Sequence, residues 1–381
     1  MRATAGQKTW CWPINELGRR SDLLTSATNE FRETHVAMSD NSIDPQELLN
    51  RPEYNQIITC PRTNSLVKFA EAGATYKGTL LFVVPSFCSR LIGVLLLSLL
   101  ADHYGMRVLS LDRPGCGGTP RCALKDRLTI ASDNTRSVLE HLDIDSGKMA
   151  ILTHSAGSVH PDLFTKNLRV FVTSGWVPIP VSGQMGLGYV PSTLVSKFHR
   201  VLPASIPIIN SVGASLAFSK SIFSGVDTKA LMPPDVIPRP ALVAGAPHPQ
   251  HTLQIPKSIC DAILTHLVKH EPMQGVSEDY LLCLGRGEGS VDPDWFSNTV
   301  DSISRAFKQR GGRVHFRLWW GGNDGLIPIK GQRWYTNLLK DQSDVFDVNV
   351  VQLPKAGHDD LLGFAEVMYP IFEEAKVALR L

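Results

Sequence analysis

Short apolar runs bounded by Gly, Pro, Asn, Asp or Ser recur along the chain. Runs of this kind are typical of β-strands. They predict strands at Gln56–Cys60, Leu66–Ala70, Leu80–Val84, Val108–Asp112, Met149–Leu152, Val170–Ser174, Val314–Trp320 and Val348–Leu353.

Helices are predicted in several of the intervals between these strands. Asp44–Leu49 is a short helix ahead of the first strand, and Ile130–Leu142 leads into the strand that begins at Met149. Leu91–Ala101 is the most apolar stretch, but it is much shorter than the roughly 20 residues that span a bilayer. We therefore expect a core helix there and no transmembrane segment, with peripheral membrane contact as the alternative.

The same pattern divides the chain into three parts. Residues 1–50 are polar and poorly patterned, and they form an N-terminal extension. Residues 51–175 and 313–381 carry the strands and form one α/β core. Residues 176–312 are rich in Pro, Gly and Ser turns with helical patches such as Lys257–Lys269, so they are predicted to be an insertion into that core.

A serine, an aspartate and a histidine each follow a predicted strand, in that order. Ser155 lies in Thr-His-Ser-Ala-Gly, Asp324 in Gly-Gly-Asn-Asp-Gly and His358 in Ala-Gly-His. A serine hydroxyl needs a base to take its proton, and a histidine has a pKa near neutrality that suits this task. A carboxylate on the far ring nitrogen fixes the histidine tautomer. These residues are candidates for nucleophile, orienting acid and base.

A fourth landmark, Leu111–Thr119, reads Leu-Asp-Arg-Pro-Gly-Cys-Gly-Gly-Thr after a strand. With the three motifs above, it resembles the α/β-hydrolase superfamily of serine esterases and lipases, over about Leu66 to Leu381. The resemblance implies an α/β fold with a mostly parallel, doubly wound sheet. It also implies that residues 176–312 form a cap, or lid, over the active site that sets substrate choice.

The resemblance further implies an oxyanion hole of two backbone amides. One belongs to Ala156, directly after the proposed nucleophile. The other belongs to Phe87, in the loop that follows the strand Leu80–Val84. Pro161 comes six residues after Ser155 and removes a helix hydrogen bond, so the helix after the serine should end by about Pro161.

Each motif also has a structural alternative. Ser-Ala-Gly occurs in ordinary turns, and Asn, Asp and Gly favour tight loops. His358 could be a plain loop histidine, with Asp359 and Asp360 as solvated neighbours. The order and the position after strands favour the catalytic interpretation. His154 is expected to be a structural or pocket-edge residue rather than a second base.

Composition excludes some classes of partner. The 381 residues carry a formal net charge of +2, which gives no electrostatic case for nucleic acid or an anionic membrane. The seven cysteines are scattered without a spacing pattern, which favours reduced thiols and a cytoplasmic setting. Met1–Gly18 has no continuous apolar segment, so no secretory signal is expected.

Two further patterns suggest ligands but are weak. His248, His251, His266 and His270 include H-x-x-H and H-x-x-x-H spacings without a recognised zinc arrangement, so no metal is expected. Gly285–Gly289 is glycine-rich but lacks nucleotide-binding spacing, and it is predicted to be a loop. No cofactor is expected.

The prediction is therefore a serine hydrolase that cleaves an ester, thioester or amide of a small apolar molecule through an acyl-enzyme. One alternative keeps the fold but changes the chemistry, as a tailoring enzyme of specialised metabolism that performs cyclisation, release or lyase reactions. Another is a catalytically silent hydrolase-fold binding protein. The sequence leaves the substrate and the oligomeric state open.

Overall fold

Eight strands form one mostly parallel sheet in the order β1-β2-β4-β3-β5-β6-β7-β8. The computed structural model describes residues 44–73, 78–86, 89–159, 168–184, 186–200 and 257–381. The strands are β1 (Gln56–Thr59), β2 (Leu66–Ala72), β3 (Thr79–Val83), β4 (Arg107–Leu111), β5 (Met149–His154), β6 (Leu168–Thr173), β7 (Val314–Gly321) and β8 (Phe346–Leu353). Strand β2 pairs antiparallel with β1 and β4, and every other pairing is parallel.

Helices fill the intervals between strands. They are α1 (Pro45–Leu49), α2 (Arg90–Tyr104), α3 (Arg127–His141), α4 (Ile179–Ser182), α5 (Ser192–Val195), α6 (Lys257–His270), α7 (Gln274–Cys283), α8 (Pro293–Arg310), α9 (Ile329–Lys340), α10 (Asp360–Gly363) and α11 (Ala365–Leu379). No helix in the described ranges combines the length and apolarity needed to cross a bilayer. The predicted strands and helices are confirmed with ends that differ by a few residues, and Gly285–Gly289 is a loop as expected.

The core lies against both faces of the sheet. All six residues of β5 are buried, because strands on either side and helices above and below cover it. Helix α8 belongs to the same core although it follows the turn-rich segment. Its Phe296 and Phe307 are buried in one cluster with Phe316 of β7 and Phe346 of β8, and the Phe316 and Phe346 rings lie 5.2 Å apart.

One buried arginine joins four parts of the chain. Arg90, at the start of α2, has a side chain with no solvent exposure. Its Nη1 donates to Asp112 at 2.6 Å and to Glu271 at 2.7 Å. Its Nε donates to the Tyr54 carbonyl, and its Nη2 donates to Asn55 Oδ1, both at 2.8 Å. All the polar atoms of this guanidinium are thus occupied by groups distant in sequence.

Helix α7 is attached to the core by a second buried arginine. Arg127, at the start of α3, donates to Asp279 and to Glu278 of α7, both at 2.8 Å. The backbone amide of Gly275 donates to the carbonyl of Gly115 at 2.8 Å, within the Asp-Arg-Pro-Gly turn. Residues 271–283 are therefore held on the core by charge pairs and backbone hydrogen bonds.

We expect Arg90→Met to destabilise the protein strongly. Removing one partner of a buried ion pair leaves uncompensated charge and costs about 3–5 kcal/mol. Here Asp112 loses its charged partner, and Glu271 keeps only the more distant Lys68, at 3.7 Å, and His266, at 3.6 Å. Chemical denaturation monitored by circular dichroism measures the free energy of unfolding. The control is Arg62→Met, which breaks the exposed pair with Glu140 and should change that free energy little. Equal effects of the two variants would contradict the importance of the Arg90 network.

Candidate active site

Ser155 lies at a strained turn directly after β5. Its φ is +50°, in the left-handed region that a residue with a Cβ rarely adopts. A short 3₁₀ helix, Ser155–Val159, begins there, and Ser158 Oγ donates back to the Ser155 carbonyl at 2.8 Å. The backbone amide of Trp176 donates to the same carbonyl at 3.0 Å. These bonds hold the strained conformation, as in the nucleophile elbow of hydrolases.

Close backbone approach explains the glycine two residues after the serine. A Cβ at Gly157 would lie 2.2 Å from the carbonyl oxygen of Val83 in the neighbouring strand, so only glycine fits. Thr153, two residues before the serine, is a regular member of β5 that pairs with Val83 and Val172. A β-branched residue is accommodated there because the turn begins only after it. Pro161 and its neighbours, residues 160–167, lie outside the described residues.

Asp324 and His358 are in direct contact, as their predicted roles require. His358 Nδ1 lies 2.8 Å from Asp324 Oδ2. The other oxygen, Oδ1, accepts from the amides of Leu326 at 2.9 Å and Ile327 at 2.8 Å. The Asp324 side chain is fully buried and that of His358 nearly so. The carboxylate is thus fixed by its own loop, and it fixes the imidazole in turn.

Two glycines bring the histidine loop onto the end of β7. A Cβ at Gly322 would lie 2.2 Å from the Pro354 carbonyl oxygen, and one at Gly321 would lie 2.5 Å from that of Ala356. Backbone bonds reinforce the contact, since the Asn323 amide donates to the Ala356 carbonyl at 2.9 Å. The Gly-Gly pair therefore places the loop after β8 beside the loop after β7.

The other nitrogen of His358 is unoccupied. Nε2 is buried and has no hydrogen-bond partner among the described residues, so the Ser155 hydroxyl is not bonded to it in this structure. Burial lowers the pKa of His358, but the charge and hydrogen bond of Asp324 outweigh it, and the pKa lies above its ordinary value. The structure thus brings Asp324 to His358 but does not join His358 to Ser155.

His154 makes a second histidine–aspartate pair. It is fully buried, with Nδ1 3.0 Å from Thr173 Oγ1 and Nε2 3.0 Å from Asp359 Oδ1. Its ring centre lies 5.0 Å from that of His358. The alternative in which Asp359 is a solvated neighbour of His358 is therefore wrong, and no local pattern couples it to a residue 205 positions away.

Of the two proposed oxyanion donors, Ala156 and Phe87, only Ala156 lies in the described part of the chain. Ala156 is buried in the first turn after Ser155. Phe87 lies outside the described residues. Just before it, the carbonyl of Pro85 accepts a hydrogen bond from Arg113, whose guanidinium also lies 2.9 Å from Asp279 of α7. Arg113 belongs to the Asp-Arg-Pro-Gly landmark, but the sequence does not predict these partners because Asp279 is remote along the chain.

Comparison with solved structures shows that the chain has the α/β-hydrolase fold. A protein from Acinetobacter baumannii that carries a proposed assignment as a lipase is 16% identical, with a TM-score of 0.55, over 89% of this chain and 99% of that one. An esterase from Exiguobacterium antarcticum is 12% identical, with a TM-score of 0.52, over 86% and 100% of the two chains. A hydrolase from Pseudomonas aeruginosa is 10% identical, with a TM-score of 0.50, over 86% and 99%.

No protein-family model matches this sequence. No curated protein matches it either. The similarity is therefore one of fold.

Gly157→Ala should displace the elbow, because the added Cβ meets a backbone carbonyl that cannot move without shifting β3. We expect a lower melting temperature and loss of Ser155 reactivity toward a fluorophosphonate. The control is Gly186→Ala, where the nearest atom is the tip of Gln184 at 3.8 Å. It should leave both quantities unchanged. Normal labelling of the Gly157 variant would show that the close approach does not shape the elbow.

The pH profile of Ser155 reactivity should report His358. This side chain accepts a proton only when neutral, and its pKa is raised, so reactivity should rise with pH through a midpoint above 6.5. Asp324→Asn removes the charge that raises the pKa and leaves the burial that lowers it. We therefore expect the midpoint to move to lower pH, together with a rate loss of about 10⁴-fold. Histidine NMR titration of Ser155→Ala provides an independent midpoint, and an unshifted profile would assign the base elsewhere.

Proposed function

We propose that this chain is a serine hydrolase that cleaves a carboxylic ester of a small apolar molecule through an acyl-enzyme. The observation that carries the proposal is the strained φ of Ser155 directly after β5, together with the buried Asp324–His358 pair in the loops that follow β7 and β8 of the same sheet. Strained backbone conformations of this kind are concentrated at active sites. The fold shared with esterases and lipases supports the same reaction class.

In the proposed reaction the Ser155 hydroxyl attacks the ester carbonyl while His358 Nε2 takes its proton. Asp324 keeps the Nδ1 proton in place and stabilises the imidazolium that forms. The alcohol leaves with the proton from Nε2. Water then attacks the acyl-serine carbonyl while Nε2 takes a proton from it, and this proton passes to Ser155 Oγ as the acid is released. The Ser155–His358 bond must form on substrate binding, since catalytic bonds are often long in the free enzyme. The amides of Ala156 and Phe87 are the proposed oxyanion donors.

Substrate choice is proposed to lie in the cap, residues 176–312. Two described elements support this. Trp176 is buried and its Nε1 donates to the Cys283 carbonyl at 3.0 Å, which ties the start of this segment to the end of α7. Tyr280 of α7 contacts Phe198 edge-to-face, with ring centres 5.2 Å apart, so α7 packs against the segment that follows α5.

A cytoplasmic setting belongs to the same proposal. Cys60, Cys116, Cys122 and Cys283 are free thiols, and no disulfide joins any two of these described cysteines. Burial raises the pKa of Cys116 to about 12, so this thiol is unreactive at neutral pH.

Labelling with a fluorophosphonate and turnover of a panel of short-chain to long-chain esters test the function together. Ser155→Ala should abolish labelling and reduce ester turnover by about 10⁴-fold or more. The control is Ser192→Ala, which alters an exposed serine at the start of α5. Labelling without ester turnover would favour the tailoring-enzyme alternative. Absence of labelling in the wild type would favour a catalytically silent binding protein.

A further inference from the structure

Two histidines and one aspartate converge beside Ser155. His154, His358 and Asp359 each offer one ligand atom, and these atoms all lie within 4.8 Å of one another. His154 is completely buried and His358 is 8% exposed. The three side chains come from the end of β5 and the loop after β8.

The neutral form of His358 presents a lone pair to this cluster. Its Nδ1 lies 2.8 Å from Asp324 Oδ2, and a carboxylate oxygen can only accept, so Nδ1 carries the proton. Nε2 therefore holds a lone pair, and it has no hydrogen-bond partner among the described residues. An unpartnered, buried nitrogen in a polar cluster is costly unless a ligand occupies it.

His154 can present a second lone pair to the same point. Thr173 Oγ1 lies 3.0 Å from His154 Nδ1 and 3.2 Å from the Thr153 carbonyl. When the hydroxyl donates to that carbonyl, it accepts from Nδ1–H, and the His154 Nε2 lone pair then faces Asp359 Oδ1 at 3.0 Å. Two acceptors at that distance need a proton or a cation between them.

We propose that His154, His358 and Asp359 bind one divalent transition-metal ion of the Zn²⁺ type, and that this ion competes with Ser155 for Nε2 of His358. The binding stands on the geometry of the cluster, and the competition rests on the proposed function. Two imidazoles and a carboxylate are a donor set that Zn²⁺ accepts. The ion is a regulator of the site rather than a cofactor of the reaction.

The distances and the surrounding groups fit this ion. Zn–N and Zn–O bonds of about 2.0–2.2 Å put tetrahedral ligand atoms about 3.3 Å apart. His154 Nε2 and Asp359 Oδ1 are already 3.0 Å apart. The ligand atom of His358 lies at most 4.8 Å from each of these two atoms, so each distance must shorten by no more than about 1.5 Å. Metal-bound histidines commonly donate their other ring N–H to a carboxylate or hydroxyl. Asp324 and Thr173 hold these positions.

Co²⁺ titration of the full chain, freed of metal by chelation, tests the binding by visible absorption. We expect one equivalent to bind with the intense d–d bands of a four- or five-coordinate site, and Zn²⁺ to displace it. Asp359→Asn should weaken Co²⁺ binding at least tenfold, and His154→Gln serves as a second ligand variant. The matched control is Asp347→Asn, which alters the His315–Asp347 pair of the same 3.0 Å length. Circular dichroism verifies that each variant is folded.

Absence of stoichiometric Co²⁺ bands in the wild type would overturn the proposal, whatever the variants do. Binding that is equally tight in the Asp359 and Asp347 variants would also overturn it.

The rate of fluorophosphonate labelling at Ser155, with and without saturating Zn²⁺, tests the competition. Each protein is compared with its own metal-free rate. In the wild type Zn²⁺ should slow labelling at least tenfold, and a chelator should restore it. Asp359→Asn should require at least tenfold more Zn²⁺ for the same effect. Unchanged labelling of a metal-saturated wild type would overturn the competition. A wild type that is never labelled would reject the proposed hydrolase function, while the Co²⁺ titration would still decide the metal site.

Discussion

Parallel pairing of β5, β6, β7 and β8 is the constraint on which the rest of the structure depends. Strands that run in the same direction end at the same edge of a sheet, so the loops that follow them meet there. Ser155, Asp324 and His358 are separated by more than a hundred residues in sequence at the widest, yet each occupies the first loop after one of these strands. The position of these three candidate residues at one edge of the sheet is therefore a consequence of strand direction.

Much of this arrangement could be predicted from local sequence. The strands were predictable because each is a short apolar run bounded by turn residues. The contact of Asp324 with His358 was predictable because both follow adjacent strands of a familiar fold.

Contacts between remote charged residues could not be predicted in the same way. Arg90 and Glu271 are 181 residues apart, and neither lies in a pattern that refers to the other. The pairing of His154 with Asp359 has the same character. Helix α8 was assigned to the insertion by its position in the chain, whereas Phe296 and Phe307 pack within the core cluster. Burial of this kind is decided by the three-dimensional fold and leaves little trace in local periodicity.

The charge network around residues 271–283 also bears on how the protein is made. Arg90 and Arg127 are synthesised long before Glu271, Glu278 and Asp279, which neutralise them in the buried interior. Until residues 275–283 leave the ribosome, closing the first half of the sheet would bury the Arg127 guanidinium without a carboxylate, which is strongly unfavourable, whereas Arg90 already has Asp112. A product that stops before residue 271 therefore lacks both carboxylates that neutralise Arg127 and one of the two that pair with Arg90, and its core is expected to be less stable.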